Sequence, residues 1–285
     1  MLKSTLRLAA LALAAGGAPA AAAHPEPTQP ARWHLDGATS RCVLTRQLAG
    51  SPVPATFILR SIPGSGRYEI IFASPDFPDE LLRLRNRPSV HLSLEPAGTV
   101  EAPAGRIELP GSLGDGISIG PLPAELIPVF GRAATLGLSA DEGRPLASWS
   151  LPAAARAAEA FSSCESEKLR EWGADPAAFE AGATAAIPAA DSESWLTPRE
   201  LGLQDALASI DYTAFFRLTV DANGRVSDCA LLESAGNVDL SRGCLILRRV
   251  ARFTPATDAA GHPIQSVVIH VADVRVRIDI RIIEG

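Results

Sequence analysis

The chain has 285 residues, 47% of them hydrophobic and 20% charged, with a formal net charge of −6 and only 5% aromatic residues. This is globular composition, long enough for two modest cores that must rest on Leu, Val, Ile and Ala. The acidic balance speaks against nucleic acid or an anionic lipid surface as the main partner.

Residues 1–23 read as a signal peptide. Lys3 and Arg7 supply a positive start, Leu8 to Ala15 an apolar stretch, and "APAAAAH" small-residue cleavage sites near Ala20 or Ala23. The apolar run is Ala-rich and shorter than the ~20 residues of a spanning helix. Cleavage and export to the periplasm are therefore expected, with an uncleaved anchor as the alternative. Without Lys3 and Arg7 the chain carries 24 basic against 32 acidic residues, near −8. "HPEPTQP" follows as a short polyproline-like leader. Four cysteines remain, Cys42, Cys164, Cys229 and Cys244. An even number in an oxidising compartment predicts disulfides, four buried free thiols being the alternative. No close Cys or His pair suggests zinc, and no metal or cofactor is expected.

Residues 31–172 read as a mostly-β domain. "RCVLTRQL", "TFILRS", "YEIIF", "SVHLSLEP", "ATLGLSA" and "LASWSL" are strand-like, separated by Gly- and Pro-containing turns. "PAELIPVFGRA" predicts a short helix interrupted by Pro128. "PAAARAAEAFSSCESEKLREWG" predicts a longer one, with Pro152 in its first turn and Gly173 as its stop. Ala157, Phe161 and Cys164 share a face of that helix, so a Cys42–Cys164 bond would tie the first strand to the closing helix. Residues 173–190 are Ala-, Gly- and Pro-rich without an apolar period and read as a linker.

Residues 191–285 form the second domain. "YTAFFRLTV" places Tyr212, Ala214, Phe216, Leu218 and Val220 on one face, "DANG" predicts a tight hairpin, and "RVSDCALLE" returns. Asn237 or Asp239 can cap a helix on which Leu240, Cys244, Leu247 and Ala251 share a face, ended by Pro255. Cys244 can then meet Cys229, although simple alternation leaves open which face of the strand Cys229 occupies. In the last strand Val274, Val276, Ile278 and Ile280 share one face, whereas Val267, Ile269 and Val271 are in the opposite phase; a β-bulge near Ala272 would reconcile them. The expected class is α+β: a mostly-β domain closed by a helix, then a small antiparallel sheet covered by a helix.

The order of parts in "FRLTVDANGRVSDCALLESAGNVDLSRGCLILRRVARFTPATDAAGHPI" resembles the TonB C-terminal domain family. The matching residues are Val220, Asp221, Gly224 and Val226, then Ser234 and Gly236, then Arg252, Phe253, Pro255 and Ala256, and last Gly261 and Pro263. About a third of the chain is covered. Phe253 to Ala256 reads as architecture. The first domain more loosely resembles the invasion-associated locus B family, through a Trp followed by Arg-Cys, alternating strands and an Ala-rich helix with a second Cys. A transducing TonB has a retained membrane helix, a long Pro-rich spacer and a Tyr-Pro motif before its first strand; here stand a signal-like segment, a short leader and "LTPRELGLQDAL".

The resemblance implies a periplasmic protein-binding module, with a possible link to TonB-dependent transport, that takes an extended peptide by strand addition on the final strand. A disulfide-tied structural or assembly factor of the cell envelope, without a transport role, is the alternative. The partner is expected to be a protein or extended peptide, not nucleic acid or a small-molecule substrate, and a homodimer stays open. "PGSLG" is not a nucleophile elbow, no His-Glu-x-x-His occurs, and catalysis is not expected.

Overall fold

The computed structural model describes residues 32–37, 39–87, 89–140, 145–197, 200–201, 210–236 and 238–276. The signal-like segment, the leader, Asn237, Ile278 and Ile280 lie outside them. In chain order the first lobe contains β1 (His34–Asp36), β2 (Cys42–Leu48), β3 (Gly50–Ser51), β4 (Ala55–Ser61), β5 (Tyr68–Ala73) and the single-turn α1 (Asp79–Leu82). It continues through β6 (Val90–Glu95), β7 (Gly98–Ala102), β8 (Ala104–Glu108), β9 (Asp115–Leu122), α2 (Leu126–Arg132), β10 (Thr135–Ser139), β11 (Ala147–Ser150) and α3 (Ala154–Glu171). After β12 (Ile187–Pro188) come β13 (Ile210–Val220), β14 (Val226–Gly236) and α4 (Gly243–Val250). The chain then passes through the short β15 (Phe253–Thr254), β16 (Ala256–Thr257) and β17 (Pro263–Ile264) into β18 (Ser266–Val276). The fold is α+β, with several antiparallel sheets and few helices.

Two sheets build the first lobe, one in the order β1-β2-β4-β5-β9-β8 and the other β3-β11-β10-β6-β7. They enclose one core in which Phe72 of β5 stacks on Trp149 of β11 at 4.6 Å, and Phe57 of β4 on Phe130 of α2 at 5.7 Å. Each of these four rings is at most 1% exposed, worth about 1.5–3 kcal/mol per side chain in water-to-core transfer. β7, β8 and β9 were not among the expected strands; "TVEAPAGRIEL" and "ISIGPL" contain Pro and Gly that mask their alternation. Pro128 does not interrupt α2. It sits in the helix's first turn, where a missing N–H costs no hydrogen bond.

α3 lies as expected, with Ala157, Phe161 and Cys164 buried and Gly173 ending it at φ +98°. Cys164 is bonded to Cys42 of β2 across 122 residues, and Cys229 of β14 to Cys244 of α4 across 15. The first pair is 0% and 8% exposed, whereas the second only packs partly buried against its core.

In the second lobe β13 is central to a three-stranded sheet ordered β14-β13-β18. Tyr212, Ala214, Phe216, Leu218 and Val220 of β13 are buried on the face that packs with Leu240, Ile246, Leu247 and Ala251. Helix α4 starts later than the sequence suggests, at Gly243. Asp239 instead accepts the Ser241 amide (2.9 Å) in a turn ahead of it, and Leu240 is buried outside the helix. Cys229 pairs with Leu218 across the ladder and so lies on the helix-covered face, which removes the ambiguity in the strand.

The bulge expected near Ala272 is absent: β13 and β18 pair without a register shift from Ile210–Val276 to Val220–Ser266. The change of apolar phase has another cause. Val268, His270 and Ala272 share the helix face with Leu218, Phe216 and Ala214, while Val267, Ile269 and Val271 sit on the opposite face. That face meets the first lobe, since a Cβ on Gly64 would touch Leu169 at 3.0 Å and Ile269 at 3.4 Å. β18 is apolar on both sides because both sides are covered over part of its length. Among the described residues no helix is long and apolar enough to cross a membrane.

The loop lengths set the expected effect of removing each bond. Replacing Cys42 and Cys164 together by Ala should lower unfolding free energy by about 4–5 kcal/mol, and the Cys229/Cys244 pair by about 3 kcal/mol, on chain-entropy grounds. Urea-denaturation midpoints of the two double variants check this; equal losses would contradict it.

Candidate functional site

The residues that carry the family resemblance assemble into one joint. Asp221 accepts the Arg225 amide at 3.0 Å and the Asn223 amide at 2.8 Å, which holds its carboxyl below the usual range. Gly224 takes φ +74° while Asn223 keeps negative φ, so the hairpin closes through a single left-handed Gly and not a two-residue I′ turn. The Phe253 amide donates to the Gly224 carbonyl (2.9 Å), and a Cβ on Gly224 would lie 1.9 Å from the Phe253 carbonyl oxygen. Phe253 packs edge-on against Trp195 at 5.3 Å. Arg252 bridges to Arg225 through the backbone, and its guanidinium donates to the Ala251 carbonyl.

Beyond this joint, Pro255 precedes the fully buried Ala256, which pairs with Ile264. Gly261, at φ +84°, closes a turn whose Asp258 accepts the Ala260 and His262 amides, and Pro263 then leads toward β18. Gly236, at φ +118°, ends β14. These residues carry the chain from α4 back to the sheet. They make the scaffold and line neither edge cleft described below, apart from Ala256.

The sheet has two edges, and they differ. β14 carries register shifts at Phe215/Phe216 and Thr219/Val220 and is tied to α4 by its disulfide. β18 has no shift along its whole length. Val274 and Val276 continue its ladder opposite Tyr212 and Ile210. No second strand pairs with β18 among the described residues.

Two clefts lie in series along that edge. One, of about 260 Å³, adjoins Ser266 to Val268 and is walled by Leu169, Phe179, Ala185 and Ala256. The other, of about 320 Å³, adjoins His270 to Asp273 and is walled by Arg67, Ser192, Glu193 and Leu196. The segment after α3 forms much of the outer wall. It is fastened by Asp175 N–H to the Gln265 carbonyl (3.1 Å), Gln265 Nε2 to the Gly173 carbonyl (2.7 Å), and the pairing of β12 with β15.

The Ser266 hydroxyl, in a residue 6% exposed, has no hydrogen-bond partner among the described residues, an arrangement that costs about 1–3 kcal/mol. Ser266, Phe179 and Glu193 were not singled out from sequence. The one available sign was the two-phase apolar pattern of β18, which marks a strand covered on both faces.

His270 is 7% exposed, with its ring 5.3 Å from Trp195 and 6.4 Å from Phe216; burial lowers its pKa from 6.5 to about 4. The charged groups sharing its cleft are Glu193, Asp273 and Arg67.

A third cleft, of about 380 Å³, is lined by Arg41, Arg60, Arg67, Tyr68, Phe215 and Asp273. Its arginines are engaged: Arg41 with Glu233 through two bonds, Arg60 with Glu69, and Arg67 with Asp273 at 3.7 Å. Beside it Glu165 accepts from Ser61 (2.7 Å) and Tyr68 (3.0 Å). Burial raises its pKa and those two bonds partly offset the rise. Among the described residues no group of His, Cys, Asp and Glu is arranged to hold a metal ion.

Class and geometry are thus those of an α+β, two-disulfide protein with clefts along one sheet edge. Comparison of the chain with protein-family models, curated proteins and solved structures finds no match in any of the three.

Two measurements test the local physics. Gly224→Ala should cost about 2–4 kcal/mol, through positive φ plus a backbone collision, whereas Gly261→Ala, with open space around it, should cost about 1 kcal/mol. Urea unfolding of both variants separates them. His270 is neutral in the folded protein and titrates near 6.5 when unfolded, so the unfolded state takes up the extra proton as pH falls. Its contribution is present above pH 6.5 and lost toward pH 4, on the order of 3 kcal/mol. Glu165, shifted upward, acts in the opposite sense, losing its contribution as pH rises, and cancels when wild type is compared with His270→Phe. The wild type should lose that much more stability than the variant between pH 6.5 and 4; parallel pH profiles would refute the assignment.

Proposed function

We propose that this is an exported, periplasmic protein-interaction module of the cell envelope that takes an extended protein segment by strand addition to β18, and that it acts by binding and not by chemistry. The carrying observation is an eleven-residue edge strand with unbroken register and clefts along it, set in the same sheet as a bulged and disulfide-tied opposite edge. The resemblance of residues 216–264 to the TonB C-terminal domain family supports this reading and suggests a role beside TonB-dependent transport. Two disulfides are compatible with an oxidising compartment.

A second reading, an envelope assembly factor that docks a folded partner, draws on Leu231 and Leu245. They are 38% and 70% exposed and flank the Cys229–Cys244 bond in sequence.

Overlapping peptides from envelope proteins, titrated against the full chain with hydrogen exchange as readout, decide between the two. Strand addition requires a binder that protects amides 266–276. Protection confined to β14 and α4 by a folded envelope protein would favour the second reading, and no peptide binder up to about 1 mM would end the first.

A further inference from the structure

The two disulfides differ in how they are held. Cys42 and Cys164 are 0% and 8% exposed in the first core, so a thiol reaches that bond only when the lobe opens. Cys229 and Cys244 are partly exposed at the margin of the second core, where β14 meets the first turn of α4. That bond is within reach of a thiol in the folded protein.

Exposed leucines border it on both sides. Leu231 and Cys229 stand opposite Phe216 and Leu218 in the ladder, which puts both on the helix-covered face of β14, two residues apart. Leu245 follows Cys244 in α4, and the two leucines are 38% and 70% exposed. The two sulfurs are not equivalent. Arg242 immediately precedes α4, and Arg248 lies one turn beyond Cys244 on the same side of the helix. Both arginines are exposed, and neither makes a side-chain ion pair among the described residues. Their charge and the start of the helix favour a thiolate on Cys244, whereas Cys229 lies in a strand beside Asp228. Cys244 is therefore the better leaving group, and Cys229 the sulfur that is attacked.

We infer that Cys229–Cys244 is a thiol–disulfide exchange site, whose partner is a dithiol oxidoreductase of the Cys-x-x-Cys class that seats an apolar surface on Leu231 and Leu245. The partner's thiolate attacks the Cys229 sulfur, the S–S bond breaks, and its electron pair leaves on Cys244. The second partner thiol, on losing its proton, attacks the mixed disulfide and releases Cys229. Two electrons and two protons pass to Cys229 and Cys244, and the partner's dithiol becomes a disulfide. Reduction unties α4 from β14 without undocking it. Ile246, Leu247 and Ala251 stay buried in the core, and Gly243 lies so close to Phe216 that an added Cβ would meet the ring at 2.5 Å. The outcome is a loosened β14 edge on a folded lobe. This does not rest on strand addition to β18, and it differs from an assembly partner on the same leucines in requiring exchange of the bond.

The test uses the full oxidised chain and reduced thioredoxin as the dithiol, in its native form and in a form whose second active-site Cys is replaced by Ser. Time points are blocked with iodoacetamide and digested with trypsin, which places Cys229 in peptide 226–242 and Cys244 in peptide 243–248. Cys229 and Cys244 should be reduced about a hundredfold faster than Cys42 and Cys164, with urea narrowing the gap. The single-Cys thioredoxin should be trapped mainly on Cys229. Arg248→Glu should raise the share trapped on Cys244 several-fold, an exchange that a merely structural arginine would not produce. Leu231→Thr combined with Leu245→Gln should slow thioredoxin about tenfold and leave reduction by dithiothreitol, which needs no seat, unchanged. After reduction of this bond the circular dichroism spectrum should persist, with faster amide exchange confined to residues 227–233 and 240–247.

Equal reduction rates for the two bonds, or earlier opening of Cys42–Cys164, would overturn the exchange site. Collapse of the circular dichroism spectrum when only Cys229–Cys244 is reduced would make that bond a structural staple and overturn it as well. Leucine substitutions that leave thioredoxin as fast as before would overturn the seat and keep the exchange site. None of these readouts involves amides 266–276, so strand addition stands or falls separately.

Discussion

The contact on which the C-terminal lobe depends is the one between Gly224 and Phe253. A backbone amide and carbonyl of the segment leaving α4 are seated against the hairpin turn so closely that a single added carbon would collide at 1.9 Å. The hairpin fixes β13 and β14. The contact then fixes where the chain after α4 crosses back, and Ala256 pairing with Ile264 aims it at the remaining edge of β13. Phe253 against Trp195 ties the same point to the segment that walls the groove. One backbone approach thus fixes where the chain returns to the sheet as β18.

Much of this was legible in the residues. Asn223-Gly224 announced the hairpin, the alternation from Tyr212 to Val220 announced the buried face, and the helical spacing of Ala157, Phe161 and Cys164 put a cysteine where β2 could reach it. These signals are local, and nothing distant opposes them. The parts that escaped depend on contacts far apart in sequence. β7 to β9 hold their place by pairing with one another and with β5 and β6, in spite of Pro103 and Pro121 within that stretch. The change of phase in β18 looked like a bulge because a small sheet covered by one helix should have only one apolar face. The second apolar face exists because the loop at Gly64 and the end of α3 lie against it. The groove was the least legible feature, since Phe179 and Glu193 of the segment after α3 and Ser266 of β18 lie far apart in sequence and share no spacing.

The lobes are held to each other mostly by polar contacts. Ser40 and Arg41 converge on Glu233, Arg67 reaches Asp273, and Gln265 exchanges two hydrogen bonds with Gly173 and Asp175. Partly exposed ion pairs of this kind contribute little stability one by one. They do fix orientation, and Ile269 buried beside Leu169 supplies the apolar share. The position of the segment between the lobes, and so the dimensions of both clefts, follows from this arrangement more than from either core.

An uninterrupted edge strand is a hazard, because it presents backbone groups to any chain that can pair with it. The two edges of this sheet answer that hazard differently. β14 is bulged twice and covalently held to α4, which makes it a poor template. β18 keeps its regularity, but the segment after α3 runs beside it, with clefts between the two. Shielding of that sort limits indiscriminate pairing along the edge.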